Sequence, residues 1–283
     1  MSGASSLPAD RLLITVAPTG AETAKQDCPQ LPTTPEELAA TAVECEAAGA
    51  AMIHLHVRDH EHRPTLDQAL LREWVAAVRE STDLVVQLST GGSVHDPLDR
   101  RLKVLDAEPD SCSLTMGTTN FGDDVFLNPW PFVCELYQLS QERMIVPEFE
   151  LFDLGQVHAM HRLLDKFGLP YGGRVHCDLV MGVPGGMDGT AAALVAAVAA
   201  LPPQTTSWSA TGIGRSTLAV ALASLSKGGH LRVGMEDVLT IARGVPVESN
   251  RQLVARAVEL ATIAQRTPMT PAEARRFLGI RAA

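Results

Sequence analysis

The stretch IHLHVRD, residues 53–59, carries two histidines one residue apart in a short apolar segment. Alternate side chains of a strand point to one face, so we expect His54 and His56 to point the same way while Leu55 and Val57 pack behind them. Two neutral imidazoles on one face are a strong start for a divalent metal site, with zinc the preferred metal. One core histidine and one surface histidine would be the alternative, but the pair followed by Arg-Asp favours a site.

The composition of the 283 residues indicates a large aliphatic core. Hydrophobic residues make up 46% of the chain and aromatic residues only 4%, so Ala, Val, Leu and Ile must build that core. Such a core suits helices packed on parallel strands. The formal net charge of −10 argues against nucleic acid and anionic membranes as partners, while an anionic substrate in a local basic pocket stays possible. The longest apolar run, 191–201, is about half of the ~20 residues that a membrane span requires.

Cysteine usage and the first residues predict a cytoplasmic protein. The five cysteines are scattered, odd in number and form no CxxC pair, which is typical of a reduced compartment rather than of a disulfide or zinc-finger framework. Residues 1–10 are small and polar and lack the apolar segment of a secretory signal.

Short β-rich apolar segments alternate with longer helical ones along the chain. Eight strand–helix units in this length predict an α/β protein, a (β/α)8 TIM barrel that forms a single catalytic domain over residues 1–283. A doubly wound open sheet is the alternative, because the same alternation serves both folds. The predicted strands are 12–16, 52–56, 84–88, 111–114, 145–149, 174–179, 206–209 and 230–233, and the predicted helices are 35–48, 67–81, 97–106, 124–139, 155–167, 189–200, 215–226 and 251–265.

Two helix starts carry clear capping signals. Thr34 followed by Pro35 predicts the start of the first helix, with Glu37 closing a capping box. Thr270-Pro271-Ala272-Glu273 begins a small terminal helix within residues 267–280, which gives the barrel a short C-terminal helical extension.

The end of the last predicted strand supplies a third metal ligand. Chemistry in such barrels takes place at the carboxyl ends of the strands, and the last strand closes beside the first two. Glu236 follows that strand, so His54, His56 and Glu236 would form a site of two imidazoles and one carboxylate with open positions. A helix N-terminus that favours acids would explain Glu236 or Asp237 alone. It does not explain Arg232, which with Asp237 is expected to form a charge pair beside the metal.

Five segments together resemble the β-keto acid cleavage enzymes, whose type activity is 3-keto-5-aminohexanoate cleavage. They are HLHVRD at 54–59, QLSTGG at 87–92, GTTNFG at 117–122, VPEFELFD at 146–153 and GHLRVGMED at 229–237. The resemblance covers nearly the whole chain, residues 14–279. It implies a zinc-dependent (β/α)8 transferase that converts a β-keto acid and acetyl-CoA into acetoacetate and a new acyl-CoA.

The resemblance also implies roles for individual residues. His54, His56 and Glu236 match the zinc ligands, Asp237 matches the general base, and Arg232 matches the arginine beside it. The substrate-binding positions are Ser89, Gly92 and Ser113 for the acidic end, Glu22 for an amino group and Glu150 as a second acid in the pocket. A general base beside zinc and Arg232 is expected to have its pKa lowered by positive charge. Val238 stands where the family often has asparagine, which leaves the acyl substrate open.

Other interpretations remain open at this stage. Gly212-Ile213-Gly214-Arg215 could hold an anion such as a CoA phosphate at a helix start, or could be a tight turn. An amidohydrolase-type metal hydrolase also uses His-x-His on a barrel, but on its first strand and with further histidines on later strands. A non-catalytic small-molecule-binding barrel would have lost the chemistry. The family analogy suggests a homotetramer or homodimer.

Overall fold

The computed structural model describes residues 10–280, in which parallel strands close into a barrel surrounded by helices. The (β/α)8 TIM barrel predicted from the sequence is confirmed, and the open sheet is not. Each predicted strand segment overlaps an observed one. The barrel strands are β1 (Ile14–Val16), β2 (Met52–Leu55), β3 (Val85–Leu88), β4 (Ser111–Thr115), β5 (Val146–Leu151), β6 (Val175–Met181), β7 (Thr205–Gly212) and β8 (His230–Val233).

Strand register brings the ends of β8, β1 and β2 together. Val16 on β1 pairs with Val233 on β8 and with Ile53 on β2, and all these pairings are parallel. The residues that follow β8 therefore lie at the same barrel rim as the histidines at the end of β2. Glu236 can act as a third ligand only if it lies at the same rim as His54 and His56, and the strand register places it there.

Helices follow the strands and cover the outside of the barrel. Their apolar faces pack on the strands in two main clusters of buried side chains, in which Trp74 and Tyr137 are the largest. Among the described residues, none of the helices combines the length and apolarity that a membrane crossing would need. The helices are α1 (Pro35–Ala48), α2 (Gln68–Ser81), α3 (Leu98–Leu102), α4 (Trp130–Glu142), α5 (Leu154–Phe167), α6 (Ala191–Ala200), α7 (Thr217–Ser226), α8 (Asn250–Ile263) and α9 (Pro271–Leu278).

The two capping predictions had different outcomes. At α9 the predicted helix start is present, the Thr270 and Glu273 side chains cap each other's backbone N–H, and α9 is the C-terminal extension. At α1 the Thr34 hydroxyl accepts from the Glu37 N–H, but the reciprocal half of the box is wrong. The Glu37 carboxylate instead accepts from the Thr33 N–H and from Lys25 Nζ, both at 2.8 Å, because Lys25 offers it a charged partner.

The predicted helix 124–139 is wrong in its first residues. Asp124–Phe126 forms a strand that pairs antiparallel with Thr119–Phe121, and α4 starts only at Trp130. Gly122, with a φ of 64°, provides the left-handed turn between the two strands. Pro129 then disfavours helical geometry for the residue before it, so the helix cannot begin earlier. We call residues 119–126 the β4 hairpin.

Candidate active site

The three predicted metal ligands converge at the carboxyl-end rim of the barrel. Glu236 Oε1 lies 3.5 Å from His56 Nε2 and 3.8 Å from His54 Nε2. The potential ligand atoms of all three residues lie within 4.8 Å of one another. His54 is buried, whereas His56 and Glu236 are partly exposed, so the ligand atoms are accessible from one side. This arrangement leaves room for further ligands from the substrate.

Two glycines allow the loop after β8 to lie against the loop after β1. A Cβ at Gly234 would stand 1.9 Å from the Ala17 carbonyl oxygen, and a Cβ at Gly20 would stand 2.7 Å from Cγ of Glu236. The Glu236 N–H donates to the Ala17 carbonyl at 3.1 Å. The position of the Glu236 carboxylate therefore depends on close backbone contact that no larger residue would permit.

Arg232 is the centre of a buried charge cluster beside the ligands. Its guanidinium donates to Asp237 at 3.0 and 3.3 Å, to Glu150 Oε1 at 3.1 Å and to Glu236 Oε1. When all three carboxyls are ionised, the cluster carries an excess of two negative charges. The predicted pairing of Arg232 with Asp237 is thus present, and Glu150 belongs to the same network.

Burial and nearby charges shift the pKa values of the clustered residues in different directions. Burial raises the pKa of Asp237 to about 7 and outweighs the charge of Arg232. The expected lowering of this pKa includes the charge of a bound metal and stays a prediction. For Glu236, burial is outweighed by Arg232 and the two imidazoles, which hold its pKa well below the usual range. Burial lowers the pKa of His54 to about 4, so this imidazole is neutral at neutral pH. A base with a pKa near 7 suits reversible proton transfer at that pH.

The donor set fits a divalent cation. Glu236 Oε2 is buried without a hydrogen-bond partner, which is costly for a carboxylate oxygen unless a cation or another donor meets it. A bound divalent ion would balance the two excess negative charges around Arg232. Neutral imidazoles with one carboxylate are a ligand set typical of catalytic zinc.

Gln87 is a residue of the site that sequence reasoning missed. His54 Nδ1 lies 2.6 Å from Gln87 Oε1, and Gln87 Nε2 donates to Glu148 Oε2 at 2.6 Å. Because the Glu148 carboxylate fixes the amide orientation, Gln87 Oε1 accepts from Nδ1–H and leaves Nε2 of His54 to face Glu236. Glu148 lies 3.3 Å from His176 Nε2, which extends the network across the barrel. A buried glutamine in an apolar strand was the available signal.

A cavity of about 260 Å³ opens above the ligands and contains four of the five predicted substrate-binding residues. Ser89, Gly92 and Glu150 line it, and exposed Glu22 stands at its rim. Ser113 is not part of this lining, because it is buried under Thr90 and its hydroxyl accepts from the Thr90 N–H. The remaining lining includes aromatic and aliphatic side chains that were not predicted, because they come from separate loops.

Residues 212–215 form the tight turn that was one of the two interpretations. The Ile213 N–H donates to the Met181 carbonyl and the Gly214 N–H donates to the Asp237 carbonyl. These backbone donors are therefore engaged within the protein rather than directed at an anion. The bond from Gly214 also holds the backbone of Asp237 in place.

Comparisons with known proteins show which proteins this chain is similar to. The chain is 36% identical over 273 residues to the 3-keto-5-aminohexanoate cleavage enzyme of Acetoanaerobium sticklandii, covering 96% of this chain and 99% of the relative. It is 32% identical over 272 residues to the 3-oxoadipate:acetyl-CoA acetyltransferase of Cupriavidus necator, covering 95% and 94%.

Among solved structures, the apo structure of ObcA superimposes with a TM-score of 0.73 at 22% identity, covering 89% of this chain and 66% of that one. That likeness supports the barrel fold. The amidohydrolase alternative would place its histidine pair on β1, whereas His54 lies on β2 and His56 directly follows that strand. The model of the beta-keto acid cleavage enzyme family matches residues 11–280, and the chain therefore belongs to that family.

Proposed function

We propose that this chain is a zinc-dependent β-keto acid cleavage enzyme that uses acetyl-CoA and releases acetoacetate and a new acyl-CoA. The single observation that carries the proposal is the convergence of His54, His56 and Glu236 beside Asp237 and Arg232, four of which line one cavity while His54 is buried behind it. The names of the two relatives support a β-keto acid and acetyl-CoA as the reacting pair.

We propose further that the chain acts as one catalytic domain. The barrel strands come from the whole length of the described chain, so the site is complete only when they are all in place. The homotetramer or homodimer that the family analogy suggests stays a prediction, which light scattering on the purified protein would test.

The proposed chemistry starts with a proton on the carbon between the ketone and the carboxylate. A bound divalent metal would polarise the ketone and make that carbon more acidic. Asp237 would take the proton, and Arg232 holds the Asp237 carboxylate through two N–H donors. The resulting carbanion attacks the acetyl carbonyl of acetyl-CoA and forms a carbon–carbon bond. The C–S bond of acetyl-CoA breaks, and the CoA thiolate that leaves adds to the original ketone carbon. Cleavage of the bond between that carbon and the central carbon gives the new acyl-CoA, and Asp237 returns its proton to the acetoacetate carbanion.

Small polar groups on one side of the cavity would hold the substrate carboxylate. Ser89 lines the cavity and its hydroxyl accepts from the Gly91 N–H, so the hydroxyl hydrogen is left to donate to a ligand. Gly92, with a φ of 60°, keeps the neighbouring backbone close to that position. Ser113 would act only indirectly, through Thr90. These assignments remain proposals that point to a small carboxylate at this end.

The reaction should require both substrates together. We expect acetoacetate and a new acyl-CoA to appear in equal amounts when a β-keto acid and acetyl-CoA are mixed with the enzyme, and neither substrate to be consumed alone. Acetyl-CoA labelled with carbon-13 in the acetyl group would place the label in the methyl end of acetoacetate. Hydrolysis of acetyl-CoA alone, or unlabelled acetoacetate, would contradict the proposed transfer.

Gln87 should tune the metal affinity. Gln87→Met keeps the side-chain length but cannot hold Nδ1–H of His54, and we expect zinc affinity to fall by about 10- to 100-fold. Competition with a chromophoric chelator measures that affinity directly. Gln156→Met is the matched control, because Gln156 is also buried and doubly hydrogen-bonded but contacts none of the three ligands. Equal zinc affinities of Gln87→Met and wild type would show that Gln87 does not position His54.

A further inference from the structure

The cavity has an apolar wall opposite the charged cluster. Three of the chain's seven phenylalanines line it, although aromatic residues are scarce in this protein. A wall of this kind beside a charged centre distinguishes the two ends of a ligand by polarity. We define the apolar wall as Phe121, Phe126, Phe152, Val180, Val183 and Ile213.

The apolar wall is held in place by contacts between separate loops. Phe121 on the β4 hairpin stands 6.1 Å from Phe126 and 6.2 Å from Phe152, measured between ring centres. The hairpin is tied to the loop after β6, because the Gly122 N–H donates to the Pro184 carbonyl at 3.0 Å. Phe152, Val180 and Val183 pack into one buried cluster. The wall is therefore formed before any ligand binds.

The buried charged groups that line the cavity already form ion pairs with one another. Arg232 is bonded to Glu150, Glu236 and Asp237, so it is not free to bind a second substrate carboxylate. Glu150 also accepts from Thr115, and burial raises its pKa despite Arg232, so it is a poor partner for a substrate cation. The apolar wall itself contains no ionisable side chain.

The surroundings of the wall also disfavour a positive charge there. The Arg101 guanidinium lies 4.8 Å from the Phe126 ring centre and is buried. The Arg101 guanidinium already makes a cation–π contact with that ring, and its positive charge would repel a substrate cation placed near the ring. Glu22 is exposed at the cavity rim, and its carboxylate lies close enough to Arg58 to raise the pKa of that guanidinium. The negative charge of Glu22 therefore already interacts with Arg58.

We propose that the apolar wall binds the acyl part of the β-keto acid, and that this enzyme's substrates are β-keto acids with an uncharged, apolar acyl chain. The inference rests on the proposed function and narrows it. The cavity volume of about 260 Å³ is near the lower end of the roughly 300–1,000 Å³ of ligand pockets, which suits a small acid. This proposal differs from the cationic substrate that the match at Glu22 suggests.

A matched set of four acids tests the preference. The wild-type enzyme is given acetyl-CoA with 3-oxopentanoate, 3-oxohexanoate, 3-oxo-5-aminohexanoate or 3-oxoadipate, and the new acyl-CoA is quantified by mass spectrometry. We expect kcat/KM to rise about fourfold from the five- to the six-carbon acid, as for one buried methylene group. We expect both charged acids to be poorer than 3-oxohexanoate by about 100-fold or more, because the apolar wall that meets the acyl chain contains no ionisable group.

Substitutions in the apolar wall test whether its residues cause the chain-length preference. Val180→Thr and Val183→Thr replace a methyl group by a hydroxyl of similar size, and we expect each to reduce the advantage of 3-oxohexanoate over 3-oxopentanoate to about twofold or less. Val247→Thr is the matched control, because Val247 is equally buried but lies outside the cavity. Its chain-length preference should equal that of wild type.

Each other outcome has a definite meaning. A preference for the amino acid or for the dicarboxylic acid would overturn the inference and leave the proposed function standing. In Val183→Thr, the KM for acetyl-CoA could rise equally with every acid while the chain-length preference stays unchanged. That result would show that the apolar wall binds the coenzyme arm, and it would also overturn the inference. No acyl-CoA from any acid would overturn the proposed function and the inference together.

Discussion

Asp237→Asn should lower the turnover of a β-keto acid by about 100-fold or more, the usual scale for loss of a general base. Asparagine has the size of aspartate, and its side-chain oxygen can still accept from Arg232. It cannot accept a proton from the substrate carbon. Asp237 is buried and adjacent in sequence to the candidate ligand Glu236. Because asparagine keeps the volume of the side chain and a hydrogen bond to Arg232, we expect fold and zinc content to stay unchanged. Steady-state kinetics, thermal melting and elemental analysis on the same preparation measure the three properties.

Asp178→Asn provides a matched control for that experiment. Asp178 is another buried carboxyl of the barrel interior, and burial raises its pKa well above the usual range. Asp178 does not line the cavity above the three candidate ligands, so we expect far less loss of turnover than for Asp237→Asn. Near-normal turnover of Asp237→Asn would assign the base to another residue, with Glu22 the next candidate.

Freshly purified protein should contain about one divalent metal ion per chain, with zinc the preferred metal. His54→Ala should lose this metal, and its turnover should fall by about 1,000-fold or more, because a catalytic metal supplies several kcal/mol of charge stabilisation. The physical reason is the cluster of His54, His56 and Glu236, in which Glu236 Oε2 has no other partner. Elemental analysis and kinetics before and after a chelator provide the measurement.

His158→Ala is the control for metal binding, because His158 is exposed on α5 and lies outside the cluster. It should keep both metal and turnover. Protein purified without chelator that contains no metal would contradict the zinc site, as would a His54→Ala protein with a full metal content.

The barrel could be predicted from the sequence because its signals are local. Each strand is a short apolar segment, the helical segments between them are longer, and two helices carry clear start signals, so the alternation is visible from the sequence alone. The HLHVRD segment and the Glu236-Asp237 pair stand at strand ends, and the barrel rule that strand ends meet at one rim was enough to bring them together. Residues 124–139 were misassigned because a hairpin depends on the turn at Gly122 and on pairing partners, which outweigh helical propensity.

The amino-acid sequence by itself determined the fold and predicted the three candidate metal ligands and the Arg232–Asp237 pair, because these depend on periodicity and on the order of residues at strand ends. Only the tertiary structure decided the pKa of Asp237, since burial outweighs the nearby positive charge and both depend on packing. The same holds for the support of His54 by Gln87 and for the apolar wall. Their members are distant in sequence, and a contact between distant residues is a property of the closed barrel rather than of any one segment.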